Sequence, residues 1–242
     1  MDTSSWLWVG TIGMALGSLV LAYLGFNLRK EDRHHAALAV GITLVAATAY
    51  YAMVHNFGDL MVSGTTVQSA RYIDWLVTTP MLLLSLGLVG LPSKVKNRGW
   101  TMATLVFLDV YMIVTGFLAT LVDSSTKWVW FSLSTLALLL IAYILYVVIM
   151  KEVKASANPK LGKLYVMLAS YLSVLWLFYP LVWYLGGNGQ NKLDFKSENM
   201  LYAVLDLLAK VGFGILLVWG VRNLAKSSNP KAGESTVESL EK

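Results

Sequence analysis

The sequence predicts an all-α protein, a bundle of seven membrane-spanning helices. Three observations carry this. First, the mean hydropathy is +0.61, with 57% hydrophobic residues against 14% charged, outside the range of an ordinary soluble domain. Second, seven apolar stretches fall at 6–27, 36–57, 69–90, 99–121, 127–150, 163–186 and 198–221, each about the 20 residues that a helix needs to cross a bilayer. Third, the loops alternate in charge. The loops at 28–35, 91–98 and 151–162, with Lys163 and the C-terminal segment, hold every Lys and Arg except Arg71, Lys127, Lys192, Lys196 and Lys210. The basic loops mark the inner side, so the N-terminus is expected outside and the C-terminus in the cytoplasm.

Taken in order, the first stretch lacks the basic start and small-residue cleavage site of a signal peptide and reads as a span. The second follows the basic loop with the adjacent His34 and His35 and ends near His55. The third carries Arg71 and Asp74 three residues apart, with Thr78 four further on, all on one stripe. The fourth contains Asp109. The fifth carries no charge beyond Lys127 at its start. The sixth has Trp176, Tyr179 and Trp183 at spacings of three and four, interrupted by Pro180, which breaks the backbone ladder. The seventh carries Asp206 and Lys210 in its middle and Glu198 at its outer edge. Residues 1–226 are expected to form one membrane domain and 227–242 a disordered cytoplasmic tail. The chain has no cysteine, which excludes disulfides and thiolate chemistry. The net charge of +5 follows from topology. The basic loops have no interleaved aromatics to stack bases, so no nucleic-acid partner is expected. No His/Ser/Asp or metal set is apparent, and the chain is read as no enzyme.

Charges inside a span are expensive, at least ~2.5–3.5 kcal/mol each at the centre. Arg71, Asp74, Asp109, Asp206 and Lys210 must therefore face the interior, pair or be neutral. Lys210 is too far from either end of its helix to snorkel, and Asp206 lies one turn away on the same face. One reading is a structural ion-pair network tying two helices. The other is a buried amine, able to form a Schiff base with an aldehyde, with carboxylates as counterions. Trp75, Trp176, Tyr179 and Trp183 would then wall a long, flat aldehyde.

The stretches "ARYIDWLVTTPMLLLSLG" (70–87), "VLWLFYPLVWYLG" (174–186) and "LDLLAKVGFG" (205–214) resemble helices three, six and seven of the microbial rhodopsins. The likeness in helix count and charge placement covers residues 6–223. It implies retinal, all-trans and 13-cis, bound covalently as a Schiff base to Lys210. It further implies Asp74 as primary counterion and proton acceptor, Asp206 as second counterion, Arg71 as a swinging arginine, and Glu198 as one member of an outer release pair. The second member would fall at Asn188, which cannot hold a proton. Trp75, Trp176, Tyr179, Pro180 and Trp183 would cage the retinal, with Met112, Gly116, Ser134 and Thr135 at its ring end. Tyr50, with Tyr51 as rival, would bond the second counterion, and Asp109 would be a protonated structural acid. Asp74, Thr78 and Ser85 occupy the three positions that sort the family. Ser85 lies eleven residues, roughly 16 Å, beyond Asp74, where outward pumps usually place an acid.

Three functions follow from the resemblance. The first is a light-driven outward proton pump. The second is an inward pump of the xenorhodopsin kind. Helix three and "VLWLFYPLVW" look closest to that group and to the cyanobacterial sensory rhodopsins, although that group usually has proline where this chain has Asp206. The third is a photosensor acting through a separate transducer. The expected partners are the lipid bilayer of the cell membrane, protons and further copies of the chain in a homo-oligomer.

Overall fold

The computed structural model describes residues 2–122 and 124–228, without the side chains of residues 227 and 228. Among the described residues, seven helices are long and apolar enough to span a membrane: α1 (Thr3–Phe26), α2 (Lys30–Val54, opening with a 3-10 turn), α3 (Ser69–Gly90), α4 (Arg98–Leu121), α5 (Lys127–Ala155), α6 (Pro159–Leu185) and α7 (Phe195–Lys226). The backbone of α7 stays helical through Ser228, and the rest of the expected tail lies outside the described residues. Several helices run past the apolar stretches because caps outside those stretches start them. Asp2 accepts from the Ser5 N–H to open α1, Asn158 accepts from Lys160 and Leu161 ahead of Pro159 in α6, and Asp194 accepts from Ser197 in α7. Asp2 and Asp194 are both held below the usual carboxylate range by their bonds to Ser5 and Ser197.

The bundle is inside-out relative to a soluble protein. Leu19, Tyr23, Phe26 and Phe107 are each more than 65% exposed, whereas Arg71, Asp74, Asp109, Asp206 and Lys210 are all below 5%. Apolar side chains face the lipid, and the charges face one another. α3 and α7 are the most enclosed helices, with 67% and 56% of their apolar windows buried against a third or less in the other five. These two helices therefore provide the interior on which chemistry can be built. Hydroxyls within the spans bond back to their own helix, as do Thr11 to Leu7, Thr48 to Leu44 and Thr104 to Trp100. Hydrocarbon supplies no water to satisfy them.

The α2–α3 connection differs from the loop expected there. It is a hairpin, β1 (Asp59–Val62) against β2 (Thr65–Gln68), in antiparallel register from Asp59↔Gln68 to Val62↔Thr65. Ser63 and Gly64 both take positive φ, the two-residue turn that matches strand twist. Gln68 ends β2 and takes the position just before α3, so the hairpin delivers the start of α3 at a fixed place.

α7 also departs from a plain α-helix. Residues Leu207–Gly212 form a π-helical turn that contains Lys210. Such turns free a backbone carbonyl, and here the Tyr171 hydroxyl of α6 donates to the Leu208 carbonyl at 3.0 Å. α1 closes on this region through glycines. A Cβ on Gly10 would lie 2.2 Å from the Tyr50 ring, on Gly13 2.6 Å from Leu207, and on Gly17 2.5 Å from Val211. This stripe of small residues lets α1 approach closely and fixes both Tyr50 and the π turn.

Gly10→Ala must therefore displace Tyr50. Overpacking of this kind costs about 1–3 kcal/mol, seen as a lower thermal midpoint in detergent. Gly99→Ala, whose Cβ meets nothing within 4 Å, serves as the control. Equal midpoints for the two variants would contradict this packing.

Candidate functional site

The site forms where α3 and α7 face each other. Helical spacing sets Arg71, Asp74 and Thr78 on one side of α3 and Asp206 and Lys210 on one side of α7. Lys210 Nζ lies 2.5 Å from Asp74 Oδ2 and 3.3 Å from Asp206 Oδ1, all three side chains fully enclosed. An unpaired amine here would be prohibitive. With Arg71 the group holds two cations and two carboxylates, so it can be neutral as a set.

The two acids differ in their partners. Asp206 accepts from three helices besides its own: from Tyr50 of α2 at 2.9 Å, Tyr179 of α6 at 2.8 Å and the Trp75 indole of α3 at 3.2 Å. Asp74 has the lysine and, at 3.2 Å, the Thr78 hydroxyl, which also bonds to the Asp74 carbonyl. Tyr50, and not its rival Tyr51, reaches the acid; Tyr51 is half exposed and packs on Trp8 and His55.

Toward the hairpin end the polar contacts continue. Arg71 donates to Tyr50 OH at 3.3 Å, to Gln68 Oε1 at 2.8 Å and to Asn199 Oδ1 at 2.6 Å, and its guanidinium lies 4.7 Å from the Tyr202 ring centre. Among the described residues, no carboxylate lies within 4.0 Å of it. Beside it is a small cavity lined in part by Thr66, Gln68, Arg71, Asn188, Glu198 and Asn199. Glu198 accepts from the Gly187 N–H at 3.2 Å. A Cβ on Gly186 would lie 2.5 Å from that carboxylate, so glycine makes its seat.

Toward the basic end the surroundings change. Ser85 is buried, bonds back to the Met81 carbonyl at 2.8 Å, and sits on a helix whose neighbouring Leu82, Leu83 and Leu86 belong to a large apolar cluster with Leu168, Leu172 and Leu217. The structure does not bring Ser85 to Asp74 or Lys210.

An apolar cavity runs from the acids toward α4 and α5. Trp75, Met112, Gly116, Ser134, Thr135, Trp176, Tyr179, Pro180 and Trp183 all line it, together with Tyr72, Thr79, Ile113, Phe131, Leu138 and Tyr202. Every cage and ring-end residue expected from sequence, apart from Tyr50 and Lys210, is thus on one wall. Trp75 and Tyr179 belong both to this wall and to the donors of Asp206, which places one end of the cavity at the lysine's counterions. Asp109 lies apart from the four charges. It is fully buried, 2.7 Å from the Thr79 hydroxyl, which is also 2.7 Å from the Trp75 carbonyl. Sequence reasoning missed Gln68, Asn199, Tyr202 and Thr79. Gln68 three residues before Arg71, one turn along α3, was the available signal.

Comparisons with known proteins agree with this geometry. The sequence model of the family described as "Bacteriorhodopsin-like protein" matches residues 1–224. The chain is 39% identical over 236 residues to a bacteriorhodopsin of Haloterrigena sp. (strain arg-4), covering 95% of this chain and 92% of that one. It superposes on the thermophilic rhodopsin from Rubrobacter xylanophilus with a TM-score of 0.87 at 37% identity, covering 91% and 96% of the two chains. It also superposes on the light-driven proton pump of Coccomyxa subellipsoidea with a TM-score of 0.82 at 32% identity, covering 90% and 96%. These matches correct the reading of the chain as simply no enzyme: the family is one of light-driven pumps and photoreceptors, and that activity is the class to assign. An inward-facing lysine between two carboxylates, an aromatic slot beside it and these matches together show that the chain belongs to the bacteriorhodopsin-like family, the type 1 microbial rhodopsins.

Proposed function

We infer that this multi-pass membrane protein is a light-driven pump that moves protons outward, from the basic side to the hairpin side, with retinal on Lys210. The observation that carries the direction is one-sidedness. From Lys210 Nζ, polar contacts continue toward the hairpin through Asp206, Tyr50 and Arg71 to the cavity at Glu198. Toward the basic end the chain offers Ser85 within leucines. The positive-inside rule makes the basic end cytoplasmic.

The slot fits the cofactor. It is walled by aromatic and aliphatic side chains and it starts at the lysine's counterions. It also has room near its far end because position 116 is glycine, where a Cβ would stand 3.2 Å from Ser134 Oγ. When bound as a Schiff base to Lys210, retinal supplies light absorption and an all-trans to 13-cis isomerisation that alters the hold on the Nζ proton.

The chain's own residues do the rest. Asp206 already accepts from three donors, which occupy its oxygens. Asp74 has fewer donors and the shorter approach to Nζ, so Asp74 Oδ2 takes the Lys210 proton. Thr78 orients Asp74 and holds its other oxygen. Arg71 senses the change through Tyr50, Glu198 gives a proton to the outside, and the proton held on Asp74 then passes outward to refill Glu198. Asn188 beside it has no proton to share, so Glu198 acts without a second acid at that position. Lys210 Nζ is reloaded from cytoplasmic water, because a serine hydroxyl cannot act as a proton reservoir near neutral pH. Asp109 is structural. The single Thr79 hydrogen cannot serve both the Trp75 carbonyl and Asp109, and a proton on Asp109 completes the set. An inward pump is the weaker reading, because Asp206 with its three donors keeps the outward-directing charge in place.

Three outcomes test this reading. Lys210→Ala should fold and give no visible absorbance with retinal; a coloured variant contradicts the attachment. Asp74→Asn should absorb at longer wavelength and lose proton transport completely, because neutralising the acid destabilises the neighbouring cation. Retained colour and transport would make Asp206 the acceptor. In the native protein, recovery after a flash should slow in proportion to the fall in proton concentration as pH rises. Ser85→Asp should speed that recovery and flatten its pH dependence. Unchanged kinetics would contradict reloading along this path.

A further inference from the structure

Arg71 is almost completely buried, and the groups it bonds to are neutral. Its Nη2 donates to the Gln68 and Asn199 side-chain carbonyls, its Nη1 to the Tyr50 hydroxyl, and its face rests on the Tyr202 ring. A guanidinium bonds more strongly to a carboxylate than to an amide. Two carboxylates lie on its inner side: Asp74, three residues along the same helix, and Asp206, one hydroxyl away through Tyr50. Arg71 is nevertheless turned from both.

The two amides are themselves fixed. Asn199 donates through Nδ2 to the Phe195 carbonyl at 2.8 Å, which leaves its oxygen facing Arg71. Gln68 is held by its place at the junction of β2 and α3, and both side chains are buried. We propose that Gln68 and Asn199 are positioning residues, an amide clamp that keeps Arg71 turned outward from Asp74 and Asp206 in the resting protein. The clamp joins the hairpin, α3 and α7, and it uses neutral oxygens, so it orients the cation without neutralising it. The positive charge stays beside the Glu198 cavity, and Asp74 keeps Lys210 as its paired cation. This inference rests on the retinal-bearing role of Lys210.

The acid-induced colour change of the pigment, which reports protonation of Asp74, is the readout. Charged and titratable groups facing Arg71 are Tyr50 from α2, Asp59 from the hairpin, and Glu198, Tyr202 and Asp206 from α7. Those facing Asp74 are Lys210 and Asp206 from α7, Tyr50 from α2 and Tyr179 from α6. None of them is altered by the test. In Gln68→Ala/Asn199→Leu the arginine is free to turn to the carboxylates. Its charge then stabilises ionised Asp74, and the colour change should need a lower pH, by about one unit, a tenfold higher proton concentration. Asn199→Asp holds Arg71 outward more firmly and adds negative charge, so its midpoint should move the other way. Loss of packing alone gives no such opposite pair of shifts. Midpoints that stay at the native value, or shift in the same direction in both variants, would overturn the clamp. A native protein that forms no pigment with retinal would overturn the reading of the site, and the clamp's purpose with it.

Discussion

A positive charge held in the middle of a lipid-facing bundle must be neutralised where it stands. Lys210 meets that demand with Asp74 at 2.5 Å and Asp206 at 3.3 Å, and much of the fold serves this contact. It makes α3 and α7 the enclosed helices. The π turn at Leu207–Gly212 carries the lysine, and Tyr171 and the α1 glycines hold that turn from two sides. Tyr50, Tyr179 and Trp75 converge on Asp206 from three other helices, so removal of the ion pair would leave buried donors and acceptors across the bundle without partners.

The same contact has unlike surroundings on its two sides. Polar groups extend from it one way, through Tyr50 and Arg71 to Glu198, and leucines close it the other way. In the proposed outward cycle, a proton leaving Lys210 finds acceptors on the hairpin side, while its replacement must cross an apolar layer. The difference between Asp74 and Asp206 adds to this. One acid is saturated with donors and the other keeps an oxygen facing the amine with few competitors, which separates the roles of two chemically identical side chains.

Much of this was legible in the sequence, for a physical reason. Charges in apolar stretches are costly, so Arg71, Asp74, Asp206 and Lys210 stood out, and their spacings of three and four set them on common faces. The seven spans were legible from length and hydropathy. The hairpin was not, because two four-residue strands leave a weak alternation, although Ser63-Gly64 was a readable turn. Tyr50 was preferred to its rival Tyr51 on resemblance alone, since nothing local on a helix says which of two neighbours faces inward. The π turn left no mark on the hydrophobic period. Gln68 and Asn199 escaped because polar residues near a membrane edge are ordinary there, and their role depends on a partner far along the chain for Asn199, at Arg71.

The central claim is that the one-sided polar path makes this an outward pump. The most direct measurement is the pH of an unbuffered suspension of cells carrying the protein with retinal, recorded during illumination. Outward transport acidifies the medium, and a protonophore abolishes the change. A light-driven alkalinisation that the protonophore also abolishes would mean that Lys210 releases its proton to the basic side, and would contradict the claim.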